Sequence, residues 1–424
     1  MNNLIYDIGD KPKTIKEWLL YAFQQLMAIF VATVLIANIC GTPISSCLFG
    51  AGLGTIVYQL ITKFKSPMFI SSCGATCSAV IGALALGGGN NYLAVTIGGA
   101  LIAIIYTGFA MLVKFKGIQS LNKIFPSTIV GAVTVVIGLN LAKFIPTYVQ
   151  VQGEHNNVAI IVAIITMLTV ALTSHYFKGF WKTIPFLIGL LVGYVISLII
   201  TLVGIAPLID FSVFHNMKLF MVPDFTFMYW KNNTVSITNF LQIIILFVPV
   251  ALCALLEHWS DHRVLSNIIG TDLTETPGLH RTLIGDGVAS FFGTVFGGLP
   301  NTSYGESIAT TGFSRVASTA VITLASSFLI LMSFLGPVQA FLLSVPSCVF
   351  GGCAMVLYGY IAMSGIRTLI NNKVDFNNNK NVLVVCVILT VGVSGMFFLT
   401  ESLAGVSLAM ILGVILNLVL KEKK

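Results

Sequence analysis

The sequence predicts an all-α polytopic membrane protein with about fourteen transmembrane segments arranged as a 7+7 inverted repeat. Composition is the first observation, because 56% of the 424 residues are hydrophobic and only 9% are charged, against about 25% charged in an average soluble domain. The second is a succession of apolar runs of about 20 residues, the length that crosses a hydrocarbon core. The third is a pair of interrupted segments at corresponding places in the two halves. These predict broken third and tenth spans that contain short extended segments.

The apolar runs follow one another along the whole chain. They predict spans at residues 18–39, 42–62, 67–86, 91–113, 125–145, 158–176, 182–204, 239–259, 282–297, 301–314, 316–335, 349–366, 381–398 and 402–420. The polar stretch 206–238 separates seven spans from seven. Because seven is odd, two homologous halves enter the membrane with opposite orientations, as in many secondary transporters.

Lysine and arginine residues predict the orientation in the membrane. They cluster in alternate loops, as the positive-inside rule requires, so both termini are expected to be cytoplasmic. The net charge of +7 is explained by this placement, and no nucleic-acid partner is expected. The residues before the first apolar run are polar, so no cleavable signal is expected. Short loops favour a bacterial plasma membrane as the location.

The sequence gives no sign of a metal site or of enzyme chemistry. Its eight cysteines lie almost entirely in apolar runs, with no CxxC pair and no matching histidine spacing. A membrane-embedded enzyme acting on diphosphates would need paired Asp-rich motifs for a metal, and none is present. We therefore expect no enzyme activity and no cofactor.

Two glutamates stand where a membrane-spanning chain tolerates charge least. Glu257 lies in FVPVALCALLEHWSD and Glu306 in GGLPNTSYGESIATTGF. A carboxylate at the bilayer centre costs roughly 2.5 to 3.5 kcal/mol on the insertion scale. The pair therefore predicts a buried polar site for a proton, an ion or a polar solute, with a purely structural hydrogen-bonded pair as the alternative. At least one of the two is expected to be protonated at some point in a transport cycle.

The third and tenth segments predict where a solute would bind. They read SPMFISSCGATCSAVIG and GGLPNTSYGESIATTG, and each has a proline followed by Ser, Thr and Gly residues, which disfavour a continuous helix. Each is expected to be extended up to about Cys73 or Tyr304 and helical afterwards, so that two helix N-termini face each other. Backbone donors and carboxylate acceptors together suit a nucleobase or related lactam. A simple inorganic anion fits less well.

Longer motifs carry a family resemblance. LEHWSDHRVLSNIIGTDLTETPGLHRTLIGDG, followed by LPNTSYGESIATTGFSR, resembles the uracil permease branch of the nucleobase/cation symporter family, also called nucleobase/ascorbate transporters. The similarity extends through FQQLMAIFVATVL, FPSTIVGAVTVVIGLNLA and MVLYGYIAMSGIRTL. It implies proton-coupled secondary active uptake of uracil across the plasma membrane by alternating access. A xanthine or purine base symporter and an anion transporter of the same architecture remain alternatives.

The resemblance also implies two domains and a homodimer. The core domain would contain spans 1–4 (residues 1–123) and spans 8–11 (residues 239–336). The gate domain would contain spans 5–7 (residues 124–205) and spans 12–14 (residues 337–424), with residues 206–238 as the connecting loop. Related proteins suggest a homodimer formed through the gate domain.

The expected substrate-binding residues combine the two glutamates and the helix breaks with positions that the resemblance implies. They are Glu257, Glu306, Gly305, Tyr304, Cys73, Gly74, Ala32 and Tyr358. Gly74 stands where relatives commonly have Phe, so an aromatic platform is missing there and a backbone N–H is the expected contact.

Four residues are expected to take part in proton coupling, namely Glu257, Glu306, Asp261 and His258. Asp261 occupies a position that is His in some relatives, and with His262 it alternatively marks the cytoplasmic end of the eighth span. His258 alternatively makes a neutral polar contact between helices. Asp286 is expected to bond neighbouring backbone at the start of the ninth span.

Overall fold

Helices make up most of the chain in the computed structural model, which describes residues 4–87, 89–117, 126–151, 153–215, 217–398 and 400–420. Within these ranges, the helices of nine or more residues are α1 (Ile15–Cys40), α2 (Ile44–Ile61), α3 (Cys77–Ala85), α4 (Tyr92–Lys116), α5 (Ser127–Leu141), α6 (Asn157–Tyr176), α7 (Pro185–Val203), α8 (Ile237–Ile269), α9 (Leu279–Gly297), α10 (Gly305–Ser314), α11 (Thr319–Ser333), α12 (Gly336–Ser344), α13 (Ser347–Asn371), α14 (Asn379–Ser394) and α15 (Val406–Val419).

Three short antiparallel strand pairs lie between the helices in the described ranges. They are β1 (Ile70–Ser72) with β4 (Asn301–Ser303), β2 (Gln150–Val151) with β3 (Glu154–His155), and β5 (Phe397–Phe398) with β6 (Thr400–Ala404). The second and third pairs are local hairpins. The first pair joins segments from the two halves of the chain.

Local sequence sets the ends of the long helices. Thr14 caps α1 by accepting a hydrogen bond from the Glu17 N–H, and Gly41 ends it in the left-handed conformation at φ 66°. Ser236 caps α8 in the same way, and Gly270 ends it at φ 77°. Ser and Thr oxygens satisfy the first free N–H groups of a helix, and glycine adopts positive φ without a Cβ clash.

A helix lies in each of the fourteen segments that the sequence marks as apolar. Within the described residues, eight helices are long and apolar enough to cross a membrane by length and composition, and four shorter ones are apolar as well. The chain is therefore a multi-pass membrane protein. The fourteen helices in the apolar segments do not by themselves give the number of membrane crossings, because six of them lack the length or the apolar composition of a full span.

The predicted end of the eighth span lies ten residues, or nearly three helical turns, before the observed end of the helix. The apolar run ends at residue 259, but α8 continues to Ile269. Asp261 and His262 therefore lie inside the helix, and His262 is fully buried. The charged residues that end the apolar run do not end the helix, because their side chains face the interior of the protein and not lipid.

Two other regions differ from the prediction or fall outside the description. The connecting stretch 206–238 contains two 3₁₀ segments, Phe211–Phe214 and Thr226–Asn232, and Phe225 packs edge-on against Phe49 of α2 at 4.9 Å. The sequence does not predict α12. The expected boundary between the first core and gate segments falls in residues 118–125, and the C-terminal lysines in residues 421–424, all outside the described residues.

The helices pack in two groups. In the first, α9 lies along α2 and α4, α11 packs on α1 and α2, and α8 packs on α4. In the second, α13 packs on α5 and α6, α6 on α7, and α14 on α5 and α15. Small residues allow close approach in both groups. A Cβ on Gly50 of α2 would meet the Gly293 carbonyl oxygen of α9 at 3.2 Å, and one on Gly365 of α13 would meet the Gly131 carbonyl oxygen of α5 at 2.5 Å.

Candidate functional site

The strand pair β1–β4 is the centre of the candidate site. Ile70 pairs with Ser303, Ser71 with Thr302 and Ser72 with Asn301. The ladder continues one step further, because the Cys73 N–H donates to the Pro300 carbonyl at 2.8 Å. All six strand residues are buried, so pairing satisfies backbone groups that have no access to water.

Side chains from α1 and α2 hold β1 in place. The Thr55 hydroxyl donates to the Ile70 carbonyl at 2.6 Å and accepts from the Ile70 N–H at 3.1 Å. The hydroxyls of Thr33 and Ser71 lie 2.6 Å apart. A hydroxyl can donate and accept at once, so Thr55 serves both backbone groups of a strand that has one partner strand.

Asn301 holds β4 between α2 and α9. The Asn301 amide nitrogen donates to the Gly50 carbonyl at 3.0 Å and to the Ala289 carbonyl at 3.1 Å. The Ser290 hydroxyl donates to the backbone carbonyl of Asn301. A Cβ on Gly54 would lie 2.2 Å from the Asn301 amide nitrogen. Glycine at position 54 is therefore what lets this amide enter between the two helices.

The short helices α3 and α10 follow β1 and β4, and they leave the strand pair at opposite ends. Cys73 follows β1 in an extended conformation, and a 3₁₀ turn at Gly74–Thr76 leads into α3. Tyr304 follows β4 with φ −120° and ψ 117°, and α10 starts at Gly305. Since Cys73 lies opposite Pro300, Cys73 and Tyr304 are about 13 Å apart along the strands, and the helical segments begin beyond them. The first N–H groups of both helices have no intrahelical partner.

Glu257 and Glu306 lie at this site from two different helices. Glu306 is the second residue of α10, and Glu257 is in the middle of α8. Both side chains are half-buried, and their carboxyl groups interact electrostatically. Cys73 interacts with Glu257, and Tyr304 interacts with both glutamates. Within the described residues, no hydrogen-bond donor contacts the Glu257 carboxyl, so it is available to a ligand.

Asp261 adds a third carboxyl group. It follows Glu257 by one turn of α8. Both Glu257 and Glu306 lie close enough to interact electrostatically with the Asp261 carboxyl group. The Ser303 hydroxyl of β4 donates to Asp261 at 2.7 Å. Asp261 therefore ties α8 to the strand pair and sits beside both glutamates.

His258 forms a buried pair with Asp286 of α9. The His258 Nδ1 and Asp286 Oδ2 atoms are 2.6 Å apart, and both residues are fully buried. The expectation that Asp286 bonds nearby backbone at the start of the ninth span is wrong. A helix-to-helix partner is available because His258 faces α9 from α8.

A second buried chain starts from His258. Its carbonyl accepts a hydrogen bond from His262 Nδ1 at 2.8 Å, and His262 Nε2 lies 2.7 Å from the Tyr58 hydroxyl. That hydroxyl donates to the Ser66 hydroxyl at 2.8 Å. Titratable and polar groups thus run from His258 towards the loop after α2. Within the described residues, no group of three or more His, Cys, Asp and Glu side chains could hold a metal ion.

The structure brings most of the predicted site residues together. Cys73, Tyr304 and the two glutamates lie at the strand pair, and Gly305 opens onto free space, because a Cβ there meets nothing within 4 Å. Ala32 is buried on α1, next to the threonine that contacts β1. The remaining two, Gly74 and Tyr358, face the second helix group.

Gly74 and Tyr358 lie where the two helix groups meet. A Cβ on Gly74 would be 3.2 Å from the Ile361 side chain of α13. Tyr358, also on α13, is buried and interacts with Tyr148 and with Cys77 at the start of α3. No contact between Tyr358 and either glutamate is present among the described residues. α13 therefore covers the start of α3.

Three features of the site are missed by the sequence argument. They are the Asn301 clamp, the Thr33 and Thr55 contacts to β1, and the His258–Asp286 pair. Asp286 carried a usable signal, since it is an acid in a predicted span, like Glu257. The threonine contacts carried none, because Thr33 and Thr55 look like ordinary residues of apolar helices.

Comparison with known proteins identifies the family. Residues 16–401 match the model of a family described as a permease family, Xan_ur_permease. The chain belongs to this permease family. As a permease, it is a transporter and not an enzyme.

Individual relatives agree with this membership. The permease is 36% identical over 418 residues to the uracil permease of Bacillus subtilis (strain 168), covering 96% of this chain and 93% of the relative. It is 35% identical over 408 residues to the uracil permease of Escherichia coli (strain K12), covering 94% and 90%. Its fold is similar to the transmembrane domain of the cyanobacterial bicarbonate transporter BicA, with a TM-score of 0.63, 15% identity and coverage of 96% and 98%.

Proposed function

We propose that this permease takes up uracil together with a proton. One observation carries the proposal: Glu257 and Glu306 meet beside the β1–β4 pair, where two helix N-termini supply unpaired N–H donors. The uracil permeases of B. subtilis and E. coli match nearly the whole chain, which supports uracil as the substrate. No cofactor other than the coupling proton is needed.

The donors and acceptors of the site match the edges of the uracil ring. Uracil carries two ring N–H groups and two carbonyl oxygens, so it needs both acceptors and donors. We assign the Glu257 carboxylate as the acceptor for a ring N–H and Glu306 as acceptor and proton site. The N–H groups of Gly74 and Gly305 would serve the carbonyl oxygens, and the helix dipoles favour the partial negative charge on them.

Proton coupling follows from the cost of charge in this position. Two carboxylates close together in a poorly solvated site repel each other, so binding of a proton relieves the repulsion. A site loaded with a proton and a neutral base carries less charge than the empty ionised site. Movement past the apolar second helix group is then less costly for the loaded form. Asp261 and His258 are the proposed further proton-coupling residues.

The helix packing supports a fourteen-span inverted repeat. If α1 to α7 are spans 1 to 7 and α8, α9, α10, α11, α13, α14 and α15 are spans 8 to 14, each packing pair given above for the two helix groups has a counterpart seven spans away. The contact of α2 with α11 matches that of α9 with α4, and α6 with α7 matches α14 with α15. β1 and β4 occupy equivalent places and pair antiparallel, as a two-fold relation between the halves requires.

The same packing supports the division into core and gate domains. The first helix group contains spans 1–4 and 8–11, and the second contains spans 5–7 and 12–14. We propose that the first group carries the site and moves against the second, which forms the homodimer contact. Both termini are proposed to be cytoplasmic in the plasma membrane, in line with the placement of Lys and Arg.

Uptake by cells or proteoliposomes tests this function. We expect labelled uracil to accumulate against its gradient and the accumulation to collapse when a protonophore is added. A panel of unlabelled bases should compete in the order of their fit, with uracil first. Competition by xanthine above uracil would favour a purine symporter, and accumulation of an inorganic anion with no uracil uptake would refute the proposal.

Replacement of Asp261 should alter coupling more than binding. In Asp261→Asn the amide still accepts from Ser303, so the contact to β4 survives, but an acid that can bind or release a proton beside the glutamates is lost. We expect uracil affinity to stay within about fivefold, because a neutral hydrogen bond differs from a charged one by only about 1 kcal/mol. The pH dependence of uptake should shift towards lower pH, since less repulsion makes the glutamates easier to ionise. A pH profile identical to wild type would contradict this role.

A further inference from the structure

The N-terminal residues 4–10, here called the N-terminal strap, lie against the loop that follows α10. Tyr6 forms a parallel β-bridge with Val316. The Ile5 N–H donates to the Arg315 carbonyl at 2.8 Å, and the Ala317 N–H donates to the Tyr6 carbonyl at 2.9 Å. These contacts join the start of the chain to the far end of the helix that carries Glu306.

The ladder continues beyond the bridge. Thr319 donates to the Ile8 carbonyl from its backbone N–H at 3.1 Å and from its hydroxyl at 2.9 Å. The Ser318 hydroxyl donates to the Asp10 carbonyl at 2.5 Å. The strap thus satisfies backbone and side-chain groups over the whole turn between α10 and α11.

The strap fixes the residue that ends α10. Arg315 has φ 58° and its N–H donates to the Thr311 carbonyl, so it closes the helix in the left-handed conformation. A residue with a Cβ pays about 1 kcal/mol or more for this conformation, so surrounding contacts must hold it. The Ile5 hydrogen bond to the Arg315 carbonyl is such a contact.

Apolar side chains of the strap pack against the segments that contain β1 and α10. Leu4 and Ile8 pack against a buried cluster that includes Ile308 of α10, Ile70 of β1 and Leu265 of α8. The strap therefore contacts the elements that carry Glu306, the first strand and the lower end of the helix with Glu257.

Tyr6 ties the strap to α1. Its hydroxyl donates to the Glu17 carboxylate at 2.7 Å and accepts from the Lys13 N–H at 3.1 Å, and only 7% of the residue is exposed. Its ring meets the Tyr21 ring edge-on at 6.1 Å. α1 in turn contacts α10 where the Gln25 amide donates to the Thr311 hydroxyl at 3.0 Å.

We propose that the N-terminal strap positions the α10 helix, and with it Glu306, for substrate binding. An isolated helix of 10 residues is only marginally stable, because the free-energy cost of nucleation exceeds the stabilisation from so few hydrogen-bonded turns. Its position is therefore set by its neighbours, which are α1 and α8 along its length and the contacts at its two ends. The β1–β4 pair holds the first end, and the strap and α1 hold the second. Tyr6 and Ile5 are positioning residues, since neither is placed at the bound base.

Ligand-free hydrogen exchange of the full-length protein, followed by uracil binding, tests the strap. The variants are Ile5→Pro, which removes the N–H bonded to Arg315, and Tyr6→Phe, which removes only the hydroxyl contacts. Gly9→Ala is the matched control, because a Cβ on Gly9 meets nothing within 4 Å. We expect exchange in Gly305–Ser314 to rise about tenfold in Ile5→Pro and less in Tyr6→Phe, with Gly9→Ala as wild type.

Uracil binding should weaken by about 3- to 10-fold in the two strap variants, the range of one lost hydrogen bond. This second readout rests on the proposed function, whereas exchange needs no ligand. Wild-type protein that binds no uracil would therefore refute the function and leave the exchange result to decide the strap. Wild-type exchange in α10 of both variants would overturn the proposal. If Ile5→Pro does not fold, Tyr6→Phe decides alone.

Discussion

Uracil uptake should be lost in both Glu257→Gln and Glu306→Gln. Each change keeps the shape of the side chain but replaces a carboxylate acceptor by an amide and removes a proton site. A hydrogen bond to a charged group contributes about 1.5 to 3 kcal/mol, so binding should weaken about 10- to 100-fold. Proton-driven accumulation should disappear entirely in the variant that has lost the coupling group. Radiolabelled uptake and isothermal titration calorimetry measure the two effects separately.

The matched control for these variants is Glu275→Gln. Glu275 is an exposed glutamate in the turn before α9, so its replacement removes the same charge at the protein surface. It should transport as wild type does. Wild-type accumulation of uracil by both site variants would exclude Glu257 and Glu306 as the substrate and proton site.

Gly54→Ala should destabilise the protein and abolish uracil binding. The new Cβ would lie 2.2 Å from the Asn301 amide nitrogen and 3.2 Å from the Ala289 carbonyl oxygen. The amide would have to leave its place and give up both of its backbone contacts. Overpacking and two lost buried hydrogen bonds together cost about 3 kcal/mol. Because Asn301 starts β4, the damage falls on the strand pair itself. Thermal unfolding in detergent and uracil binding measure the two consequences.

A second helical glycine provides the comparison. Gly108 of α4 is exposed on the helix surface, and a Cβ there meets nothing within 4 Å. Gly108→Ala should therefore be neutral or slightly stabilising, since alanine is the better helix former. Equal behaviour of the two variants would show that the Asn301 clamp does not determine the position of β4.

The sequence predicted the parts of the site that break a local rule. Glu257 and Glu306 are acids in apolar surroundings, and the prolines at the third and tenth segments interrupt helical character. Each violation is visible within a few residues, so each could be read without a structure. β1 and β4 follow these prolines in the chain, and α3 and α10 come after them.

The parts that were missed depend on contacts between distant residues. Asn301 could be recognised as a clamp only once Gly50 and Ala289 are known to flank it. The end of α8 was placed too early because Asp261 and His262 look like an interface with water, whereas their partners, Ser303 and Tyr58, lie elsewhere in the chain. Composition reports polarity, but it does not report which side of a helix meets protein.

The pairing of β1 with β4 also bears on how the protein is made. The ribosome completes Ser72 long before it reaches Asn301, so the first strand enters the bilayer with its hydrogen-bonding edge unmatched. Insertion machinery or transient water must shelter that edge while the intervening helices are synthesised. Nascent chains truncated before β4 should therefore be prone to degradation, whereas separately expressed halves could rescue each other by supplying the missing strand.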